Sequence, residues 1–251
     1  RWREYRAGKD LSYFIIAAQI SRYAIEGALR FAKKSIARNV SVTEKTVEEK
    51  YIQLSKEFVK KNKIPVRINS YMTNIHVGKR SIYPSRPVEY LLDKNIQSLK
   101  IDAGIFVIDN QGLIRACSDI ARTLVLTNEG EEIYRFIEKV TLGLIRTIKA
   151  GASGEDIYWR GIQKLAEEEP RVKNLNMVPK NFSLTEGYDR DIGHLLEKQE
   201  SFTFALYKGN KNRLERGMIG CVEFHWPFKE YGITVEDTFV VTEEGGIPIS
   251  R

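Results

Sequence analysis

Apolar residues in the first part of the chain recur every three or four positions. Leu11, Ile15, Ala18, Ile25, Leu29, Ala32 and Ile36 keep that spacing, which predicts one long amphipathic helix from Asp10 to about Ala37. Ser41-Val42-Thr43-Glu44 reads as a capping box, a serine oxygen meeting an orphan amide while the glutamate reaches back. It opens a second helix with Val47, Tyr51, Leu54 and Phe58 on one face, and Pro65 with Asn69-Ser70 marks the passage into extended or irregular chain. The pattern then returns. Ile133, Phe136, Ile137, Val140, Leu144 and Ile148 form a helical face, Gly151 follows, and Ser153-Gly154-Glu155-Asp156 caps another helix carrying Ile157, Ile162 and Leu165. Ile36 and Ser41 find counterparts in Ile148 and Ser153 at one shared offset of 112 positions. This weak internal similarity predicts two related helix–helix–hairpin halves, about 10–125 and 126–251, within a single domain spanning 1–251.

Two stretches alternate with period two instead. Ile101 to Ile108 and Leu113 to Thr123 flank Asp109-Asn110-Gln111-Gly112, which predicts an antiparallel hairpin turning at Asn110-Gln111. Asp102 and Asp119 are equidistant from that turn, so they are expected to face each other with Cβ atoms roughly 4.5–5.5 Å apart. In the second hairpin, Gly220–His225 and Ile233–Thr238 flank a connection through Pro227 and Tyr231-Gly232, and Glu223 and Glu236 are equidistant from its midpoint at Lys229-Glu230. Opposed carboxylates repel unless a cation lies between them. Two such pairs packed face to face therefore predict a metal centre. The competing reading is acidic residues on solvated strands, a role that suits Asp109 and Asp237 better.

Composition narrows the classes. A chain of 251 residues with 42% hydrophobic content can bury a full core. Two cysteines, Cys117 and Cys221, are too few for a disulfide framework, and a reducing, cytoplasmic setting is expected. Each lies two residues before a carboxylate of the hairpins, so both should share a face with it, as core thiols or, less simply, as cavity lining. No apolar run approaches the ~20 residues of a membrane span. The start at Arg1 shows no signal-peptide pattern, and without an initiator Met it leaves room for residues ahead of it. The net charge of +7 raises nucleic acid as a partner, but the Lys and Arg residues are interspersed with Glu, as solvated helix faces are. With no nucleic-acid module or aromatic-basic motif alongside, nucleic acid is not expected.

Taken in order, Ile101-Asp102-Ala103-Gly104, Ser118-Asp119-Ile120-Ala121-Arg122-Thr123, Gly193-His194, Val222-Glu223 and Val235-Glu236-Asp237-Thr238 resemble the motifs of the pita-bread metallopeptidases. That superfamily includes methionine aminopeptidase, aminopeptidase P, prolidase and creatinase. The resemblance runs from about Asp10 to the C-terminus and is closer to the aminopeptidase P–prolidase branch. It implies an α+β pita-bread fold of two pseudo-twofold halves around the metal. It also implies Asp102, Asp119, His194, Glu223 and Glu236 as ligands of one or two divalent ions. Four carboxylates and an imidazole suit Mn, Fe, Co or Zn. In a dinuclear site, with manganese for example, the ions lie roughly 3.5–4 Å apart and activate a hydroxide as nucleophile. Glu223 could serve as general base. The implied activity is hydrolysis of amide-type bonds in a short peptide, aminopeptidase- or Xaa-Pro-peptidase-like; a homodimer remains open.

Three features depart from the family pattern. The two aspartates stand farther apart in sequence than usual, though symmetrically about their turn. The two substrate histidines of the family are missing, one from the 78–86 segment and one from Ser201, and Glu197 stands where a glycine is expected. Losing such a donor typically costs ~10²–10³ in rate. His225, two residues beyond Glu223 on the same strand face, His76 and the hydroxyl of Tyr83 are candidates to fill the gap. The losses open two alternatives: a metalloenzyme acting on a small non-peptide molecule, as hydrolase or lyase, or a non-catalytic binding protein on the same scaffold.

Overall fold

The structure, a computed structural model, describes residues 10–198 and 200–251, without the side chains at 187 and 200–203. Helix α1 (Leu11–Ala37) buries Phe14, Ile20 and Ile25 together with a run of small residues, Ala17, Ala18, Ser21, Ala24, Ala28 and Ala32. Small residues let neighbours approach closely, and a Cβ on Gly27 would meet Leu54 of α2 (Glu44–Lys61) at 2.6 Å. The start of α2 corrects the sequence reading. Ser41 is exposed. Thr43 is the N-cap, accepting from Thr46 N at 3.2 Å, and Glu44 turns inward instead of reaching back.

A four-stranded sheet follows, in which β2 (Ser98–Ile108) pairs antiparallel with β1 (Arg67–Val77) on one side and with β3 (Ile114–Cys117) and β4 (Ile120–Val125) on the other. In the second half come α3 (Asn128–Ile145), α4 (Gly154–Glu167) and the short α5 (Glu169–Asn174) and α6 (Leu184–Gly187). Here the expected capping box forms. Ser153 N donates to Asp156 Oδ2 at 2.8 Å and Asp156 N to Ser153 Oγ at 3.1 Å. A five-stranded sheet closes the chain in the order β6-β5-β7-β8-β9, from β5 (Gly193–Leu196), β6 (Glu200–Ala205), β7 (Ile219–Phe228), β8 (Tyr231–Val241) and β9 (Gly246–Pro248).

Two apolar cores result. One gathers α1, α2 and the first sheet, including Phe14, Tyr51, Leu99 and Ile101; the other gathers α3, α4 and the second sheet, including Phe136, Tyr158, Phe224 and Phe239. Each such side chain contributes roughly 1.5–3 kcal/mol on burial. Between them β4 lies against β8 through polar groups. Thr123 Oγ1 donates to Thr234 O at 3.1 Å and accepts from Thr234 N at 2.9 Å. Arg122 donates through Nη1 to Glu236 O and through Nη2 to Asp237 Oδ1, each at 2.5 Å. Asp237 therefore does not have the surface role expected for it. It is fully buried between Arg122 and Arg251, and Ser250 Oγ donates to it at 2.7 Å. Asp109 does keep a local role, accepting from Gln111 N and Leu113 N in its own turn. Among the described residues no helix is long and apolar enough to cross a membrane.

Candidate metal centre

The two hairpins meet their expected registers differently. In the second, β7 and β8 run on through Pro227↔Gly232 to Phe228↔Tyr231, with Lys229 at φ 51° in the two-residue turn. The strands are longer than read from sequence, and Glu223 lies directly across from Glu236. In the first, Asp102 faces Ala121, not Asp119. The loop spans Asp109–Leu113, its closing pair Ile108↔Ile114 centring it on Gln111 with Gly112 at φ 83°, and a bulge beside Ile108 shifts the ladder once more. Asp119 sits in the gap between β3 and β4 and lies diagonal to Asp102, on the same face because the displacement is two residues.

Ser118 holds that gap together. Its amide donates to Ile105 O at 3.0 Å, its hydroxyl accepts from Ile105 N at 3.0 Å, and the same hydroxyl meets Ser21 Oγ of α1 at 2.7 Å. This close pairing requires Gly104, where a Cβ would fall 1.9 Å from Ser118 O. The backbone carbonyl of Asp119 is tied to the other half, accepting from Thr238 Oγ1 at 2.9 Å and from the Cys221 thiol at 3.4 Å. His194 is delivered by β5, where Gly193 has φ 138° and a Cβ would lie 2.0 Å from Cys221 O.

Asp102, Asp119, His194, Glu223 and Glu236 all line one cavity of about 380 Å³. His194 Nε2 is 3.7 Å from Glu236 Oε1 and 4.0 Å from Asp119 Oδ2. Its Nδ1 lies 3.1 Å from Leu195 O; a carbonyl only accepts, so Nδ1 is the donor there and Nε2 is the ring atom that faces the carboxylates. Ligand atoms of Asp119, His194 and Glu236 all fall within 4.8 Å of one another. Glu236 is 1% exposed, and its Oε2 has no hydrogen-bond partner among the described residues. Burial, then the charges of Asp119, Glu223 and Asp102, hold its carboxyl well above the usual carboxylate range. A cation between these oxygens would relieve that repulsion, so the residues present fit a divalent ion.

The three candidates for the missing histidines are placed less favourably. Tyr83 lines the cavity but stands at its rim, 72% exposed. His225 also lines it, with both ring nitrogens engaged: Nε2 donates to Ile82 O at 2.9 Å and Nδ1 meets Thr234 Oγ1 at 2.5 Å. Burial and the nearby Lys100 charge push its pKa down to about 4, so it is a neutral ring at physiological pH. His76 is not among the lining residues. It is fully buried under the 78–86 segment, its Nε2 against Ser85 and its Nδ1 3.6 Å from Glu44 Oε2. That segment is pinned over the site by Ser81, whose hydroxyl accepts from Gly232 N at 2.7 Å. The side chain of Ser201 lies outside the described residues. Both cysteines are buried packing groups outside the cavity lining, and burial pushes the Cys221 thiol well up.

Sequence reasoning missed Asn74, Lys100, Tyr188, Arg190 and Asp191, which also line the cavity. Asn74 pairs with Asp102 across the β1–β2 ladder and donates to its Oδ2 at 3.2 Å. Lys100 stands two residues before Asp102, an alternation that would have found it. Tyr188, Arg190 and Asp191 come from an irregular stretch with no pattern to mark them. A second, more apolar cavity of about 200 Å³, lined by Met177, Val178, Phe182 and Trp226, shares Tyr188, Arg190 and His225 with the first.

The FACT complex subunit spt-16 of Caenorhabditis elegans is 28% identical over 142 residues, 51% of this chain and 13% of that protein. Prolidase from Pyrococcus furiosus superimposes with a TM-score of 0.72 at 18% identity, over 97% of this chain and 64% of that one. The N-terminal domain of FACT complex subunit SPT16 from Eremothecium gossypii superimposes with a TM-score of 0.76 at 17% identity, over 97% and 57%. The chain thus spans less than two thirds of either structure. Those superpositions show the fold, the α+β pita bread. The model of metallopeptidase family M24 matches residues 13–243, nearly the whole chain, and the protein with this cavity belongs to that family.

Proposed function

We propose that the chain is a metal-dependent hydrolase of amide-type bonds in a short substrate. The observation that carries this is the convergence of Asp119, His194 and Glu236 on one spot, with Glu236 Oε2 buried there and without a hydrogen-bond partner among the described residues. A divalent ion held by them would supply Lewis-acid polarisation and lower the pKa of water in the cavity. Glu223 is the more open member of the opposed glutamate pair, half-buried where Glu236 is closed off. It is therefore the group suited to take a proton from the attacking water and return it to the leaving amine. Tyr83 borders the outer end of the substrate. Neutral His225, braced by Ile82 and Thr234, shapes the wall between the two cavities.

The adjoining cavities favour a substrate with an apolar residue beside a carboxylate. Aromatic and aliphatic side chains line the annexe and Arg190 stands where the two spaces meet. Dipeptides, Xaa-Pro dipeptides among them, have that character, as do small amino-acid derivatives. The test is metal analysis of protein purified without chelators, then a screen of these substrates with Mn, Co, Fe and Zn. Retained metal with cleavage that Glu223→Gln abolishes is expected; no metal uptake and no cleavage with any ion would remove the proposal.

A second reading, binding without catalysis, draws on the likeness to subunits of the FACT complex. The absence of both substrate histidines fits it too. Asp119→Ala separates the two: biological activity unchanged by that substitution would favour the binding reading.

A further inference from the structure

We infer that the cavity takes one divalent ion and not two, because Lys100 supplies the second positive charge. This rests on the metal-centre reading above and refines it. Lys100 lies on β2 two residues before Asp102, so both side chains leave the strand on the same face. It lines the cavity yet is only 2% exposed. Its Nζ is 3.7 Å from Asp102 Oδ2, the same oxygen that accepts from Asn74. A buried ammonium needs a counter-charge, and among the described residues Asp102 is the carboxylate at ion-pair distance from it.

Asp119, His194 and Glu236 bring ligand atoms within 4.8 Å of one another, a group that does not include Asp102. Asp102 is already engaged by an ammonium and an amide. A second ion on Asp102 would also sit within a few ångströms of the ammonium, in an interior that screens poorly.

Calorimetric titration of the metal-free wild-type chain with Mn(II) tests this. One equivalent per chain is expected, rising to two in Lys100→Met, which keeps length and removes the charge. The electron spin resonance spectrum of the wild type in excess Mn(II), after removal of free ion, should show isolated spins, while Lys100→Met should show a spin-coupled pair. Two tight equivalents or a coupled pair in the wild type would overturn the inference while leaving the metal centre intact. Failure of the wild type to bind any ion would overturn both. If Lys100→Met does not fold, the wild-type stoichiometry and spectrum decide alone.

Discussion

The two hairpins differ in what fixes their register. The second closes through a two-residue turn at Lys229-Glu230 and keeps a single register from Ile219↔Val240 to Phe228↔Tyr231, so counting from the turn finds Glu223 opposite Glu236. The first has a longer loop, a bulge and a broken partner strand, and counting from its turn misplaces Asp119 by two residues. The helix starts differ in the same way. Ser153 and Asp156 cap α4 within four residues, whereas Glu44 leaves its own helix end to hold Val77 N, Val88 N and Arg80. Local rules succeed where a motif is closed by its own neighbours, and fail where a side chain is taken up by a distant element.

Charge compensation separates the hairpins more sharply still. Asp102 has Lys100 and Asn74 beside it, and Glu236 has an oxygen with no donor among the described residues. The same neutralising change should therefore act with opposite sign on the two. In metal-free protein, Asp102→Asn strands a buried ammonium and should lower stability by about 3–5 kcal/mol. Glu236→Gln removes a carboxyl whose ionisation is opposed by burial and by its acidic neighbours, and should raise stability by roughly 1–3 kcal/mol. Urea unfolding in the presence of chelator measures both; a loss of stability in Glu236→Gln would end the contrast. The gain should carry a cost in ion binding. Changing a group that merely orients a ligand loses about 10–100-fold in metal affinity, and Glu236→Gln should lose more than that.

How much of this was legible follows the same division. Helical periodicity located α1 to α4 because each buries one face against a single core. The glutamate pair was legible because its turn is short. Asp237 was misread because its partners, Arg122 and Arg251, are supplied by β4 and the C-terminus, where no spacing rule connects them. His76 was misread as a site residue because sequence shows its nearness to the 78–86 segment but not that the segment covers it. Lys100 was overlooked although strand alternation places it beside Asp102; the positive charge drew no notice in a chain rich in lysine.

Glu44 provides a pH test of the first half. Burial alone would raise its pKa, but hydrogen bonds involving His76, Arg80, Val88 and Val77 outweigh it and hold the carboxyl below its ordinary value. A depressed carboxylate stabilises the fold above the unfolded-state pKa, and that stability is lost as pH falls through the folded-state value. Glu44→Gln should thus cost about 1.5–3 kcal/mol at neutral pH, the range for hydrogen bonds to a charged group. The gap to wild type should narrow steadily as pH is lowered below the unfolded-state value. A gap independent of pH would mean that Glu44 acts by shape and not by charge.

The smallest effect distinguishes the two caps. At α4 the Ser153 hydroxyl serves Asp156 N while the Asp156 carboxylate serves Ser153 N, so the hydroxyl and the carboxylate hold each other's backbone in place. At α2 the Thr43 hydroxyl meets Thr46 N at 3.2 Å but is shared with Thr46 Oγ1 and Glu89, and no reciprocal bond from a first-turn side chain to Thr43 N completes a capping box. Loss of an N-cap oxygen costs about 0.5–2 kcal/mol. Ser153→Ala should fall in the upper part of that range and Thr43→Ala in the lower. Adding Asp156→Ala to Ser153→Ala should cost less than the two single losses together, because each removes part of the same reciprocal pair. Additive losses at α4 would show that its box is two independent hydrogen bonds, and the distinction between a locally closed half and a tertiary-braced half would then rest on the hairpins alone.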